Sequence, residues 1–232
     1  MKKFKLLFSF LIIYSAFTQN ILGQYKGERD FHSQYFINEA AFNLEGGEIQ
    51  YSNIMLFYND LNIGLSNHLS AGISTILLGY FVQSDVPASF RIKFSQSLNK
   101  LVHMGAGIKL NTEFNYDNFK HSDFVYEPFA IFTFGSARNN ISFQFSVPYQ
   151  TSIWDKPYYQ LNGKLRITKR TALMGEFFFN ADNDYQEYAS LFGARTYFRK
   201  WALEYGAFFE NKNAGNHLSS IWPFVGAKFH FN

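Results

Sequence analysis

Ionisable residues in the second half of the sequence fall into a regular pattern of sign. Lys164 and Arg166 are followed by Glu176, Arg195, Glu204 and Lys228. Segment by segment, the order is plus, minus, plus, minus, plus. Balanced signs suit a belt of ion pairs, because charges withdrawn from water need partners. The same belt could form a constriction that screens ions. Arg91, Lys93, His103 and Lys109 form a second group, with Glu113 and Glu127 as the acids nearest in its segments. An unbalanced basic wall could guide a small anionic solute such as a carboxylate sugar or a phosphate. Pairing with Asp60, or with those two acids, is the structural alternative.

Motifs for covalent chemistry are sparse. KHSD (Lys120–Asp123) and HLSS (His217–Ser220) each set a histidine near a serine. His121 with Ser122, or His217 with Ser219, could supply the base and nucleophile of a lipid hydrolase. Such short pairs are more often polar loop residues, since a catalytic site is defined in space. GxSxG and HExxH motifs are absent. Asn180, Asp182, Asp184 and Glu187 offer oxygen ligands of the kind Ca²⁺ takes, but without EF-hand spacing they read as a solvated loop. No cofactor or metal is expected. The sequence has no cysteine, which excludes disulfides, thiolate catalysis and zinc–thiolate sites. A net charge of +3 over 232 residues does not imply a nucleic-acid partner.

The elements that carry these residues have a period of two. Ile141, Phe143, Phe145, Val147 and Tyr149 alternate with Ser142, Gln144, Ser146, Pro148 and Gln150. Tyr159, Leu161, Gly163, Leu165 and Ile167 alternate with Gln160, Asn162, Lys164, Arg166 and Thr168. Alternation over about ten residues is the signature of strands with two unlike faces. It recurs over roughly Leu69–Gln83, Ala88–Leu98, Val102–Phe114, Phe124–Gly135, Thr171–Ala181, Glu187–Phe198, Trp201–Lys212 and Ser219–Phe231. Phe124–Gly135 is apolar on both faces. Tight turns such as Asn99–Lys100, Lys169–Arg170 and Arg199–Lys200 alternate with mostly longer connections. That is the plan of an up-and-down meander. The region before Ser66 must bring the strand number to an even value. Tyr35–Leu44 as a first strand gives twelve, as would splitting Gly47–Ser66 at Asn59–Asp60. Ten is the fallback.

Bulk composition points the same way. Charged residues are only 17% and aromatics reach 20%, while mean hydropathy is slightly negative. The first residues, MKKFKLLFSFLIIYSAFTQNILGQ, read as a basic head, a short apolar run and a polar tail. This is a secretory signal peptide over residues 1–24, with cleavage after Ala16 or near Gly23–Gln24. Residues 25–232 read as a single domain.

Signal, ten-residue alternating strands, alternating turn lengths and a terminal aromatic strand together resemble a bacterial outer-membrane β-barrel protein. The resemblance implies an all-β transmembrane antiparallel up-and-down barrel, here of about twelve strands. It implies an outer-membrane location, outer-membrane lipid as a partner, and a last strand (Phe229, Phe231) read by the barrel-insertion machinery. The class hosts channels, enzymes, adhesins and structural barrels. A narrow porin-like channel or structural barrel with a mixed-charge lumen is the expectation here. A lipid hydrolase and a loop-mediated adhesin are the alternatives.

The apolar faces are too dense in Phe, Leu and Ile to be packed inside, so they should meet lipid. The polar faces then line a lumen. Twelve tilted strands give a backbone diameter of about 24 Å. Phe178, Phe208, Tyr80 and Trp222 would narrow it. Trp154, Tyr158 and Trp201 suit the membrane interfaces.

Overall fold

The computed structural model describes residues 31–77, 85–115, 120–150, 153–180, 188–211 and 220–231. The signal segment, Tyr80, His217, Ser219 and the acidic residues Asp182, Asp184 and Glu187 lie outside them.

Twelve long antiparallel strands form one closed sheet. They are β1 (Ile49–Ile54), β2 (Tyr58–Gly64), β3 (Leu69–Ile76), β4 (Asp85–Ser97), β5 (Val102–Asn115), β7 (Val125–Gly135), β8 (Asn140–Ser146), β11 (Tyr158–Arg166), β12 (Thr171–Asn180), β13 (Tyr188–Tyr197), β14 (Trp201–Asn211) and β15 (Ser220–Phe231). Two-residue strands β6 (Lys120–His121), β9 (Tyr149–Gln150) and β10 (Ile153–Trp154) extend its long-loop end. β15 pairs with β1, matching Phe231 to Ile49 and Gly226 to Ile54, so the sheet has no open edge at this seam.

Polar side chains build the tight turns. Ser66 Oγ accepts from the Leu69 amide at 3.1 Å. Asn99 Oδ1 accepts from Leu101 at 2.8 Å and Val102 at 2.9 Å. Thr168 Oγ1 accepts from Thr171 at 2.9 Å. Each mimics a backbone turn bond and fixes the register of the hairpin that follows.

The two strand faces meet different surroundings. On β4, Phe90, Ile92 and Phe94 are exposed while Arg91, Lys93 and Ser95 are buried. Leu161, Leu173, Phe192, Tyr205, Val225 and Phe231 carry the same exposed apolar face around the wall. Phe198, Trp201 and Phe229 stack in sequence at the short-turn end, as in an aromatic girdle. A continuous apolar exterior of this extent is far beyond what a water-facing surface carries. It matches the lipid-facing band of a transmembrane barrel.

Two features correct the sequence reading. Tyr35–Leu44 is not a strand of the wall. Its residues lie inside the barrel, with Tyr35, Phe36, Ala40, Ala41 and Leu44 buried. The twelfth strand comes instead from dividing Gly47–Ser66, and the turn falls at Met55–Phe57 rather than Asn59–Asp60. Met55 and Leu56 hold positive φ values of 55° and 65° there. Neither residue is of the Gly or Asn type that such turns usually employ, so local chemistry does not mark the turn.

Candidate functional site: the filled lumen

Residues 31–44 form a compact hairpin within the lumen. The Tyr35 amide donates to the Asn38 carbonyl at 2.8 Å, and the Ala40 amide to the Ser33 carbonyl at 3.0 Å. A single bridge joins Gln34 and Glu39. Both limbs lie at the short-turn end. Phe31 packs with Ala172, Tyr197 and Ala202, beside the turn after β13. At the other limb, the Gly47 amide donates to the Gly64 carbonyl at 2.8 Å and so ties the hairpin's exit to the end of β2.

Wall side chains hold the hairpin by its main chain. Arg195 Nη1 donates to the Phe31 carbonyl at 2.8 Å and to the Gln34 carbonyl at 3.2 Å, while Nη2 reaches the Tyr35 carbonyl. Lys228 Nζ donates to the Tyr35 carbonyl at 2.7 Å and to Gln34 Oε1 at 3.0 Å. Glu176 Oε1 accepts from the amides of Ile37 at 2.9 Å and Asn38 at 3.2 Å. On the far wall, Thr133 Oγ1 accepts from the Ala41 amide at 2.8 Å. Lys93 Nζ donates to the carbonyls of Ala40 at 3.0 Å and Phe42 at 2.9 Å. A hairpin off the strand ladders thus has its buried backbone groups satisfied by side chains.

The apex is apolar. Phe36 is fully buried among Ile54, Met174, Leu191 and Phe224, with Tyr58, Phe178 and Phe208 packed around them. Its ring meets Phe224 edge-on at 5.0 Å. Ala41 packs on Phe129 and Ile131, which explains why β7 is apolar on its lumen side as well. Trp222, on the same strand face as Phe224 but nearer the long loops, is 58% exposed.

The six residues of the alternating-sign group are all buried. Arg195 Nη2 and Glu204 Oε1 are paired at 2.5 Å, and Lys228 Nζ lies 3.7 Å from the same oxygen. Glu176 serves the hairpin as described. The Arg166 guanidinium lies 3.8 Å above the Tyr197 ring. Lys164 is buried on the same strand face. The structure therefore brings Arg195, Glu204 and Lys228 together as a pairing group and gives Glu176 a different partner.

In the second group, Arg91 meets Glu39 through Nε and Asp60 Oδ1 at 2.5 Å through Nη2. Lys93 Nζ lies 3.0 Å from Glu39 Oε2. Burial pushes the Glu39 carboxyl up, but Lys93 and Arg91 outweigh it and hold the group below its usual range. Glu39 belongs to the hairpin and not to a spanning strand. Lys109 pairs with Glu127 at 3.2 Å. His103 contacts Ser97 Oγ at 2.7 Å and the Gly135 carbonyl at 3.1 Å, and its ring lies against Phe42 at 4.4 Å.

The charge balance of the lumen depends on the hairpin. Among the described residues the buried wall carries six Lys and Arg against three carboxylates, Asp60, Glu176 and Glu204. The fourth buried carboxylate, Glu39, comes from the hairpin. Towards the long loops, Tyr58, Ser74, Ser89, Asn111, Glu113 and Asp123 help enclose a cavity of ≈ 480 Å³.

The histidine–serine pair at the long-loop end is not arranged for nucleophilic attack. His121 Nδ1 donates to the Ser122 carbonyl at 2.9 Å. Ser122 Oγ accepts from the Glu113 amide at 2.9 Å. Neither contact joins imidazole to hydroxyl.

Sequence reasoning missed the hairpin's role and the apolar ring that receives it. The available signal was a set of large apolar residues at lumen positions, Met174, Leu191 and Phe224, on the same strand faces as Glu176, Arg195 and Lys228.

No protein-family model matches this sequence, and no curated protein does. Solved structures do match the fold. The KdgM porin aligns with a TM-score of 0.58 at 11% identity, over 80% of this chain and 99% of that one. A second KdgM porin structure, in complex with disordered oligogalacturonate, aligns with the same score, identity and coverage. The NanC porin follows at a TM-score of 0.49 and 10% identity, over 78% of this chain and 98% of that one. With a closed barrel of twelve long strands and an apolar exterior, the chain has the fold of bacterial outer-membrane β-barrel proteins.

Proposed function

We propose that the protein is an integral outer-membrane barrel, exported by its N-terminal signal segment, that serves as a narrow porin-like channel for small anionic solutes. The observation that carries this reading is the lumen wall, with its six buried cations against three carboxylates. A water-filled passage with an excess of fixed positive charge favours anions over cations. The KdgM fold likeness supports it, since that porin has been solved with oligogalacturonate, a polyanion. The hairpin of residues 31–44 occupies the lumen, so the described conformation is the closed one, and passage requires the hairpin to leave.

Planar-bilayer recording tests the proposal. The full chain should conduct rarely. A variant lacking residues 31–44, shown to be folded by heat-modifiable gel migration, should conduct steadily with anion preference. A folded variant that passes no current, or that prefers cations, would overturn it.

A further inference from the structure

We infer that Glu39 is a built-in occupant of a carboxylate-binding site formed by Arg91 and Lys93, so that a soluble carboxylate and the hairpin exclude one another. This rests on the channel reading above and supplies its regulation.

The two cations project into the lumen from alternate positions of β4, and each takes a different oxygen of the same carboxylate. Both are almost fully buried. Arg91 is also oriented from the wall. Its Nη2 donates to Asp60 Oδ1 and Asn62 Oδ1, both at 2.5 Å. Gly72 keeps the neighbouring strand low beside it, where a Cβ would meet Arg91 Cζ at 2.9 Å. The Lys93 contacts differ, for Glu39 and the carbonyls of Ala40 and Phe42 all belong to the hairpin. When the hairpin leaves, Lys93 loses these contacts and Arg91 loses one of its two carboxylates. Two neighbouring cations left facing the water-filled lumen attract an anion. The fitting replacement is a carboxylate, the group just removed.

Among the described residues, no strand pairing holds the hairpin in the lumen. Its main chain bonds to itself and to wall side chains, not to the strand ladders. It joins β1 through the Glu45–Glu48 turn, where the Glu48 amide donates to the Glu45 carbonyl at 3.0 Å. Gly47 takes a φ of 87° in that turn, a conformation glycine adopts without strain. Both limbs lie at one mouth, so retraction breaks no strand pairing.

Amide hydrogen exchange on the full chain in detergent tests the competition. Citrate is the probe, with sucrose and with chloride at matched ionic strength as controls. A competitor at ten times its dissociation constant raises the open fraction about tenfold. Exchange at Ile37, Asn38 and Ala41 should accelerate by that factor in citrate and not in either control. E39Q should show the acceleration without citrate, and K93Q should lose the citrate response. Equal acceleration by citrate and chloride, or none by citrate, would overturn the inference. Bilayer recording on E39Q separates the two proposals. Citrate-driven opening without current leaves the site and removes the channel. Current without a citrate effect leaves the channel and removes the site.

Discussion

Replacing Arg195 by Ala should release the hairpin while leaving the barrel closed. The guanidinium donates to the carbonyls of Phe31, Gln34 and Tyr35, and it pairs with Glu204. Hydrogen bonds from a charged donor contribute about 1.5–3 kcal/mol each. Water entering the space left by the side chain recovers part of that, and Lys228 still reaches the Tyr35 carbonyl at 2.7 Å. A net loss of about 3 kcal/mol in hairpin docking follows, which is roughly a hundredfold in the opening equilibrium. Glu204 keeps Lys228 at 3.7 Å, so its buried charge retains a cation. Hydrogen exchange resolves the two parts of the molecule, because local opening is read amide by amide. The amides of Tyr35, Ile37, Asn38, Ala40 and Ala41 should exchange about a hundredfold faster. Those in the β13–β14 ladder should not change. Arg195→Lys should fall between, since it keeps the charge and loses the fork. Unchanged hairpin exchange would refute the clamp. Equal acceleration in hairpin and ladder would refute the idea that they open separately.

Further outcomes follow from the same contacts. Phe36→Ala empties a fully buried site among Ile54, Met174, Leu191 and Phe224, and should weaken hairpin docking by about 3–5 kcal/mol, seen as faster amide exchange at Ile37 and Asn38 in the folded barrel. Ile92→Arg places a charge in the middle of the exposed face of β4 and should cost about 2–4 kcal/mol in urea unfolding from lipid vesicles. No effect there would mean that this face is not in lipid. Acid should loosen the hairpin. The Glu39 carboxyl is depressed against burial by Lys93 and Arg91 of β4, with Lys109 of β5 adding to them. Its contribution is present above the ordinary carboxylate pKa and is lost as pH falls through the lower native value. Hairpin exchange in Glu39→Gln should lack this acid step.

What could be read from the sequence follows from what each segment touches. Strands such as β8 and β11 face lipid on one side and a polar lumen on the other, so their side chains alternate and their pairing is legible. The hairpin has no such division. Phe36 meets an apolar ring while Gln34 and Glu39 meet charges, all within the same enclosure. Its broken alternation around Asn38–Ala40 was the trace of this, and only strand parity made it look like a wall element. Met55 and Leu56 hid the β1–β2 turn because they adopt positive φ without the residues that announce it. The basic group was legible as lumen-facing charge, but its neutralisation by Glu39 depends on a contact across 52 and 54 positions of sequence that no local pattern encodes.

The shared mouth of the two hairpin limbs has a consequence for biogenesis. A segment that entered by one end and left by the other would be threaded, and the seam between β1 and β15 would have to close around it. Among the described residues no segment passes through. The cylinder can be completed while its interior is still wet and the hairpin can dock afterwards, so the six cations need not lose their hydration while the strands cross into lipid. Insertion and filling become separate events, and a defect in the second leaves the first intact.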